Sequence, residues 1–141
     1  MILEENVLEL LEEGGFTSAF TDYRSRQQPA PYTQLFFFDE NEEEAADKRI
    51  ICIRSVSGGF GNKFVQNPSV DLYIAGLQDR SDTATIIDFA ERIYTYFLDT
   101  RKKCGIIDVK PASGALTPML TESGRPIVTL TLNLKIDRGA E

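Results

Sequence analysis

The sequence contains no histidine and no tryptophan, and it has only two cysteines among its 141 residues. Without histidine, Ser-His pairs, Cys-His pairs and His-ligated metal sites cannot form. Cys52 and Cys104 do not stand at a metal-ligand spacing, so we expect two reduced, mostly buried thiols, with a disulfide as the alternative. We therefore predict no catalytic residue, no metal and no cofactor.

Long apolar runs and an excess of basic residues are also missing. No stretch approaches the ~18 apolar residues that a membrane helix needs, so we predict no membrane span. The first residues, Met1 through Glu5, include neither a basic leader nor a long apolar core, which argues against export by a signal peptide. With 15 basic and 22 acidic residues the net charge is −7, and such a chain is poorly suited to binding nucleic acid through phosphates.

The clearest structural pattern lies between residues 70 and 98. Val70, Leu72 and Ile74 alternate with more polar residues, which predicts a strand with one buried face. After a polar turn, apolar residues recur at spacings of three and four, which predicts an amphipathic helix. The stripe consists of Ile86, Ala90, Ile93 and Phe97. A helix with one apolar side needs a sheet to cover that side.

Both ends of the chain carry comparable patterns. Leu3, Val7 and Leu10 predict a short helix that the glycines after residue 13 close. Residues 127–136 alternate so regularly that they predict a long strand, whose apolar face belongs to the core. Its polar face could meet water or line a wet interface, and it supplies three candidate interface residues: Thr129, Thr131 and Asn133.

Three consecutive phenylalanines at residues 36–38 close a predicted strand that starts near residue 33. Side chains alternate across a strand, so aromatic groups would point to both faces, and either a helix or another subunit must cover the second face. Phe36 and Phe38 are therefore candidate interface residues. A further strand is predicted over residues 48–56.

Two loops connect these strands. The acidic residues 39–48 are predicted to be mobile, as is the glycine-rich stretch 57–63. The second loop does not match a phosphate-binding loop, because Phe64 stands where Ser or Thr would bind magnesium. Phe60 and Phe64 either face a partner or fold back on the core of their own domain, and both interpretations remain open.

Taken together, these elements predict a single α+β domain over residues 1–141. Its mostly antiparallel sheet would have about four or five strands, with the N-terminal helix and the long amphipathic helix packed on one face.

The order of elements, the strand-turn-helix over residues 70–98, and Gly124-Arg125-Pro126 before the last strand resemble the tail terminator (tail completion) proteins of long-tailed bacteriophages. This resemblance implies a homo-oligomeric ring of six copies. The ring would end tube growth on the tail-tube protein and offer a surface to the head-completion or connector protein. The protein would be made in the host cytoplasm and located in the virion tail.

DNA would pass through such a ring without specific binding, and an acidic wall would keep the duplex from adhering. Candidate channel-facing acids are Glu42, Glu43 and Glu44.

The sequence leaves three other interpretations open. The chain could be a different head-tail completion protein or a tail-tube subunit of the same virion. It could be a small-molecule-binding module, since a binding pocket leaves no signature in this sequence. It could be an enzyme using Asp79 and Asp82, but acids in a turn before a helix are usually capping groups.

Overall fold

The computed structural model describes residues 2–56, 65–66, 68–99, 106–112 and 116–137. Predictions for residues 57–63, Phe60, Phe64 and Cys104 lie outside these ranges. Two helices and two 3-10 turns are present in the described part: α1 (Leu3–Glu13), α2 (Thr83–Asp99), Glu43–Ala45 and Arg80–Asp82. The strands are β1 (Phe20–Thr21), β2 (Gln27–Gln28), β3 (Tyr32–Leu35), β4 (Ile50–Val56), β5 (Val65–Gln66), β6 (Ser69–Ala75), β7 (Ile106–Pro111), β8 (Met119–Leu120) and β9 (Pro126–Asp137).

The main sheet has the strand order β3-β4-β6-β9, and β5, β7 and β8 also pair with β9. Only β3 and β4 are parallel among these pairs, so the predicted α+β class with a mostly antiparallel sheet is confirmed. Over the described ranges the sheet has seven strands rather than four or five. The excess comes from β5 and β8, which have two residues each and are too short to show an alternating pattern.

One face of the sheet is covered by both helices, as predicted. Val70, Leu72 and Ile74 of β6 are buried there, next to the alternating apolar residues of β9. All four residues of the predicted α2 stripe are buried in the same cluster: Ile86, Ala90, Ile93 and Phe97. The cluster also contains Val7, Leu10 and Leu11 of α1. Amphipathic periodicity thus correctly indicated which side of each helix would meet the sheet.

The opposite face, called here the open face, carries the alternate residues of the same strands. At one end a second cluster forms around Ala45, Ile50 and Ala75. Ala45 belongs to the acidic residues 39–48, called here the acidic strap, which crosses this end of the sheet. No helix in the described ranges is long and apolar enough to span a membrane.

The separate hairpin β1–β2 lies on the helix side, where the Phe20 ring stacks edge-on against Phe89 of α2 with centroids 4.6 Å apart. Its turn is organised by the buried Asp22, whose carboxylate accepts hydrogen bonds from Arg24, Arg26 and Gln28. Burial alone would raise the pKa of Asp22, but these bonds outweigh it and lower that pKa to about 2.

Candidate assembly surface

The three phenylalanines 36–38, called here the aromatic turn, follow the edge strand β3 directly. Sequence alternation predicted them as part of the strand, but β3 ends at Leu35. Phe36 has a positive φ of 73°, and its N–H donates to Ile53 O at 2.9 Å. A positive φ is rare for a bulky residue, and such strain is often found at functional sites. The turn is therefore hydrogen-bonded to β4, but its side chains no longer alternate between the two faces of the sheet.

The aromatic turn exposes two rings to solvent. Phe37 is 79% exposed and Phe36 is 41% exposed, whereas Phe38 is half-buried against Tyr73, with ring centroids 6.1 Å apart. A cleft of about 350 Å³ adjoins them on the open face, lined by Phe37, Phe38, Arg54, Tyr73 and Ile127. Aromatic groups and arginine are the residue types enriched at the energetic centres of protein interfaces.

The polar residues of β9 lie on the same open face, as the alternation predicted. Thr129 and Asn133 are exposed. Thr131 is half-buried, and its hydroxyl donates to Asp71 on β6 at 2.7 Å. Asn133 accepts a bond from Ser69 at 3.0 Å. The middle of the open face is therefore a polar surface with cross-strand bonds, distinct from the aromatic end.

The three predicted channel-facing acids have different environments. Glu42 is half-buried and accepts hydrogen bonds from the Tyr32 hydroxyl at 2.7 Å and from Gln34 at 2.9 Å. The bond to Glu42, then burial, then the charges of Glu42 and Glu44 raise the pKa of Tyr32 to about 12. Glu43 and Glu44 are exposed. Glu42 therefore ties the strap to β3, and the exposed Glu44 lies close enough to Tyr32 to act on its hydroxyl.

Arg125 is the residue whose role sequence reasoning missed. It is fully buried, and its guanidinium donates to the carbonyls of Ala45, Ala46 and Lys48 in the strap at 2.8–3.1 Å, and to Gly76 O at 3.0 Å. Its Nε has no hydrogen-bond partner in the described part of the chain. The only signal in the sequence was its place in Gly-Arg-Pro, where the turn before β9 aims the side chain under the strap.

Glu40 adds a second connection between the strap and this turn. Its carboxylate accepts a bond from the Thr121 hydroxyl at 2.5 Å and lies 3.8 Å from Arg125 Nε. The first half of the strap is thus held by Glu42, which bonds to β3, and by Glu40, which bonds to Thr121. Its second half is held by Arg125. Because the strap carries the chain on from the aromatic turn, the same contacts fix the position of Phe36 and Phe37.

The two acids weighed for catalysis have structural roles. Asp79 caps the 3-10 turn, and hydrogen bonds from Ser81 hold the pKa of Asp79 below its usual value. Asp82 is buried and forms an ion pair with the buried Arg49, with oxygen-to-nitrogen distances of 2.6 and 3.0 Å. Over the ranges that the structure describes, no group of three or more acidic or cysteine residues could hold a metal ion.

Cys52 is free and fully buried on β4, and burial raises the pKa of its thiol to about 11. That agrees with the predicted buried, reduced thiol for this residue.

A protein-family model described as "Phage tail termination protein" matches residues 3–138. No curated protein matches the chain at a significant level. The family match covers nearly all of the chain and confirms the resemblance drawn from the order of elements and from Gly124-Arg125-Pro126. It supports a structural role in the virion tail, with contacts to other tail or head proteins. The chain belongs to the family of phage tail termination proteins.

Proposed function

We propose that this protein caps the head-proximal end of the tail tube as a ring of six copies, ends tail polymerisation, and offers the surface to which the head is joined. The partners are further copies of the chain, the tail-tube protein and a head-completion or connector protein. The family match supports a structural role in the phage tail. Within the molecule, the exposed aromatic turn is the observation that supports a contact with another protein.

The aromatic turn supports a contact with another protein on energetic grounds. Burying an exposed Phe37 ring in a partner would remove about 150–250 Å² from water. Full burial of a phenylalanine side chain contributes about 1.5–3 kcal/mol before the costs of association. Leaving such a ring in water has no benefit for the isolated chain, and the strained Phe36 backbone that presents it is a further cost.

The open face also suits a ring through which DNA passes. Glu43 and Glu44 are exposed carboxylates on the strap, and we place them at the channel wall, where they would repel the phosphates of the duplex. Replacing both with glutamine should leave ring assembly unchanged and slow DNA ejection. Ejection at the wild-type rate, measured by dye uptake of released DNA, would contradict the placement at the channel.

A tube-growth assay tests the main proposal. Purified tail-tube protein should form long tubes alone and tubes of limited length when this protein is added, with a single ring visible at one end by electron microscopy. If this protein itself forms long tubes, it is a tube subunit; if it leaves tube length unchanged and stays free of tube ends, it is not a terminator.

A matched pair of variants tests the role of the aromatic turn in that assay. Phe37→Ala should abolish capping, while Leu98→Ala removes another exposed apolar side chain, on α2, and should cap normally. Equal capping by both variants would separate the aromatic turn from the function.

A further inference from the structure

Resting on the ring proposed above, we infer that the aromatic turn of one copy seats in a groove beside β8 of the next copy. The β8 groove has a volume of about 450 Å³ and is lined by Arg80, Thr83, Pro118, Met119, Leu120 and Pro126. Met119 is 71% exposed and Leu120 is 46% exposed. Together with Phe37, they are among the most exposed apolar side chains of the described residues.

The chemistry of the β8 groove fits an aromatic ring. The thioether of Met119 is a favourable neighbour for a ring edge. The guanidinium of Arg80 can lie over a ring face as a cation–π partner, and no carboxylate among the described residues pairs with it. Pro118, Pro126 and Leu120 supply rigid apolar walls. An acidic peptide in the β8 groove could pair with Arg80 but would leave the apolar walls without apolar contacts.

The positions of the two surfaces favour a second copy as the occupant. The aromatic turn lies on the open face, where Phe37 shares a cleft with Tyr73 and Ile127. The β8 groove lies beside Arg80 and Thr83, which lead into α2 on the helix side. A closed ring requires two different, complementary surfaces on each chain, so that every copy gives one and receives on the other. An aromatic projection and an apolar groove on different sides of the sheet meet this requirement.

The other exposed apolar side chains do not form a comparable pair. Ile2, Tyr23 and Leu98 are exposed, and none of them lines the cleft of the aromatic turn or the β8 groove. Scattered single apolar residues are normal on protein surfaces. Phe37 and the β8 groove are therefore the two features that we pair in the contact between copies.

Cross-linking between copies tests the contact directly. Full-length Phe37→Cys and Met119→Cys chains would be prepared with different tags, each with Cys104→Ser, while the buried Cys52 is retained. After mild oxidation, the mixture should give a disulfide-linked pair carrying both tags. Each variant alone should give none, and Leu98→Cys mixed with Met119→Cys should stay at background. Leu120→Cys serves as a second groove position.

Association of the full chain gives the quantitative test. Phe37→Ala and Met119→Glu should each weaken ring formation by about 30-fold or more in sedimentation equilibrium, the loss expected for a hot-spot residue. Leu98→Ala should change it by less than about twofold. If rings form only on tail tubes, the same variants and cross-links are examined on capped tails.

The outcomes separate this inference from the proposed function. Rings that form and cap tubes, but give no Phe37-to-groove cross-link above the Leu98 background, would overturn the contact and leave the cap in place. Loss of tube binding by Phe37→Ala with unchanged self-association would assign the aromatic turn to the tube protein and also overturn it. A wild-type chain that neither forms rings nor caps tubes would refute the proposed function itself.

Discussion

The two faces of the sheet are built by different means. The helix side is closed by apolar packing, and its cluster of buried residues extends through α1, α2, β4, β6 and β9. Within the part of the chain that the structure describes, the open face has a small apolar cluster at one end, and the strap that covers it is held by polar contacts of Glu42, Glu40 and Arg125. The described remainder of that face is polar or aromatic, with Tyr73 and Thr131 half-buried and Thr129 and Asn133 exposed.

The two faces contribute differently to the free energy of folding and to the positions of surface groups. Apolar burial is non-directional and excludes water from a closely packed core. The helix side therefore stabilises the fold without any contact to another protein. Hydrogen bonds contribute less to net stability but fix geometry, and on the open face they hold the strap and the aromatic turn in one place. The face that contributes less to the core is thus the one on which exposed aromatic groups have defined positions.

The largest expected effect comes from removing core volume on the helix side. Leu72 is fully buried in β6, so Leu72→Ala should lower the free energy of unfolding by about 2–5 kcal/mol. Thr129→Ala, an exposed open-face change on neighbouring β9, should cost about 0.5 kcal/mol or less. Urea denaturation followed by circular dichroism measures both. Similar losses for the two variants would remove the distinction between the faces.

A smaller, local effect is expected at the strap. Arg125→Lys keeps the charge but lacks the planar fork that reaches four carbonyls, so it should cost about 2–3 kcal/mol. Amide exchange should accelerate in residues 39–48 far more than in α2. Arg54→Lys, an exposed change on β4, is the control and should leave exchange unaltered. Uniform acceleration across both regions would show that the strap is not a separate unit.

Gly76 connects the two sides, because its N–H donates to Pro126 O and its carbonyl accepts from Arg125. A Cβ there would lie 2.6 Å from Asp82 Oδ2 and 2.7 Å from Ile86 Cγ1. Gly76→Ala should therefore cost about 1–3 kcal/mol by overpacking. Gly124→Ala, where nothing lies within 4 Å of a Cβ but φ is +86°, separates backbone strain from crowding. A stable Gly76→Ala protein would show that neither side is tightly packed at this junction.

The smallest expected effects depend on pH and have opposite signs on the two sides. Asp22 on the helix side has a folded pKa of about 2, below the usual 3.8 of an aspartate, so its contribution to stability is present above about pH 4 and is lost as pH falls toward 2. Tyr32 on the open face has a folded pKa of about 12, above 10.0, so its contribution is present below pH 10 and is lost as pH rises toward 12.

Stability curves of Asp22→Asn and Tyr32→Phe check this pair of predictions. Asp22→Asn should flatten the acid limb and leave the alkaline limb unchanged, and Tyr32→Phe should do the reverse. If either variant altered the limb assigned to the other, the pKa shift would have a different source.

Sequence periodicity was sufficient for the helix side. The alternation in β6 and β9 and the stripe of α2 were read correctly because a buried face requires apolar residues at a fixed period, whatever the neighbours are. The same reasoning predicted the wrong conformation at Phe36 to Phe38. Three phenylalanines fit a strand, but the positive φ at Phe36 ends β3, and local propensity does not indicate a strained turn.

The acidic strap shows a second limit of prediction from sequence. Its acids indicated a solvated segment, and whether it moves remains a prediction; its attachment depends on Arg125, about 80 residues away in sequence. The charge pattern predicts Glu42 as a channel-facing acid, whereas in the fold it accepts hydrogen bonds from Tyr32 and Gln34. Charge pattern gives the average character of a segment, whereas individual bonds depend on which distant residues the fold brings near.

By itself, the sequence determined the fold class, the apolar side of each helix, the absence of histidine chemistry and the resemblance to the tail termination family. All of these follow from residue types at local spacings. Only the tertiary structure decided that Arg125 is buried beneath the strap, that Phe37 stands exposed on the open face, and that a groove opens beside β8. Each of those depends on contacts between residues far apart in the chain, which no local pattern encodes.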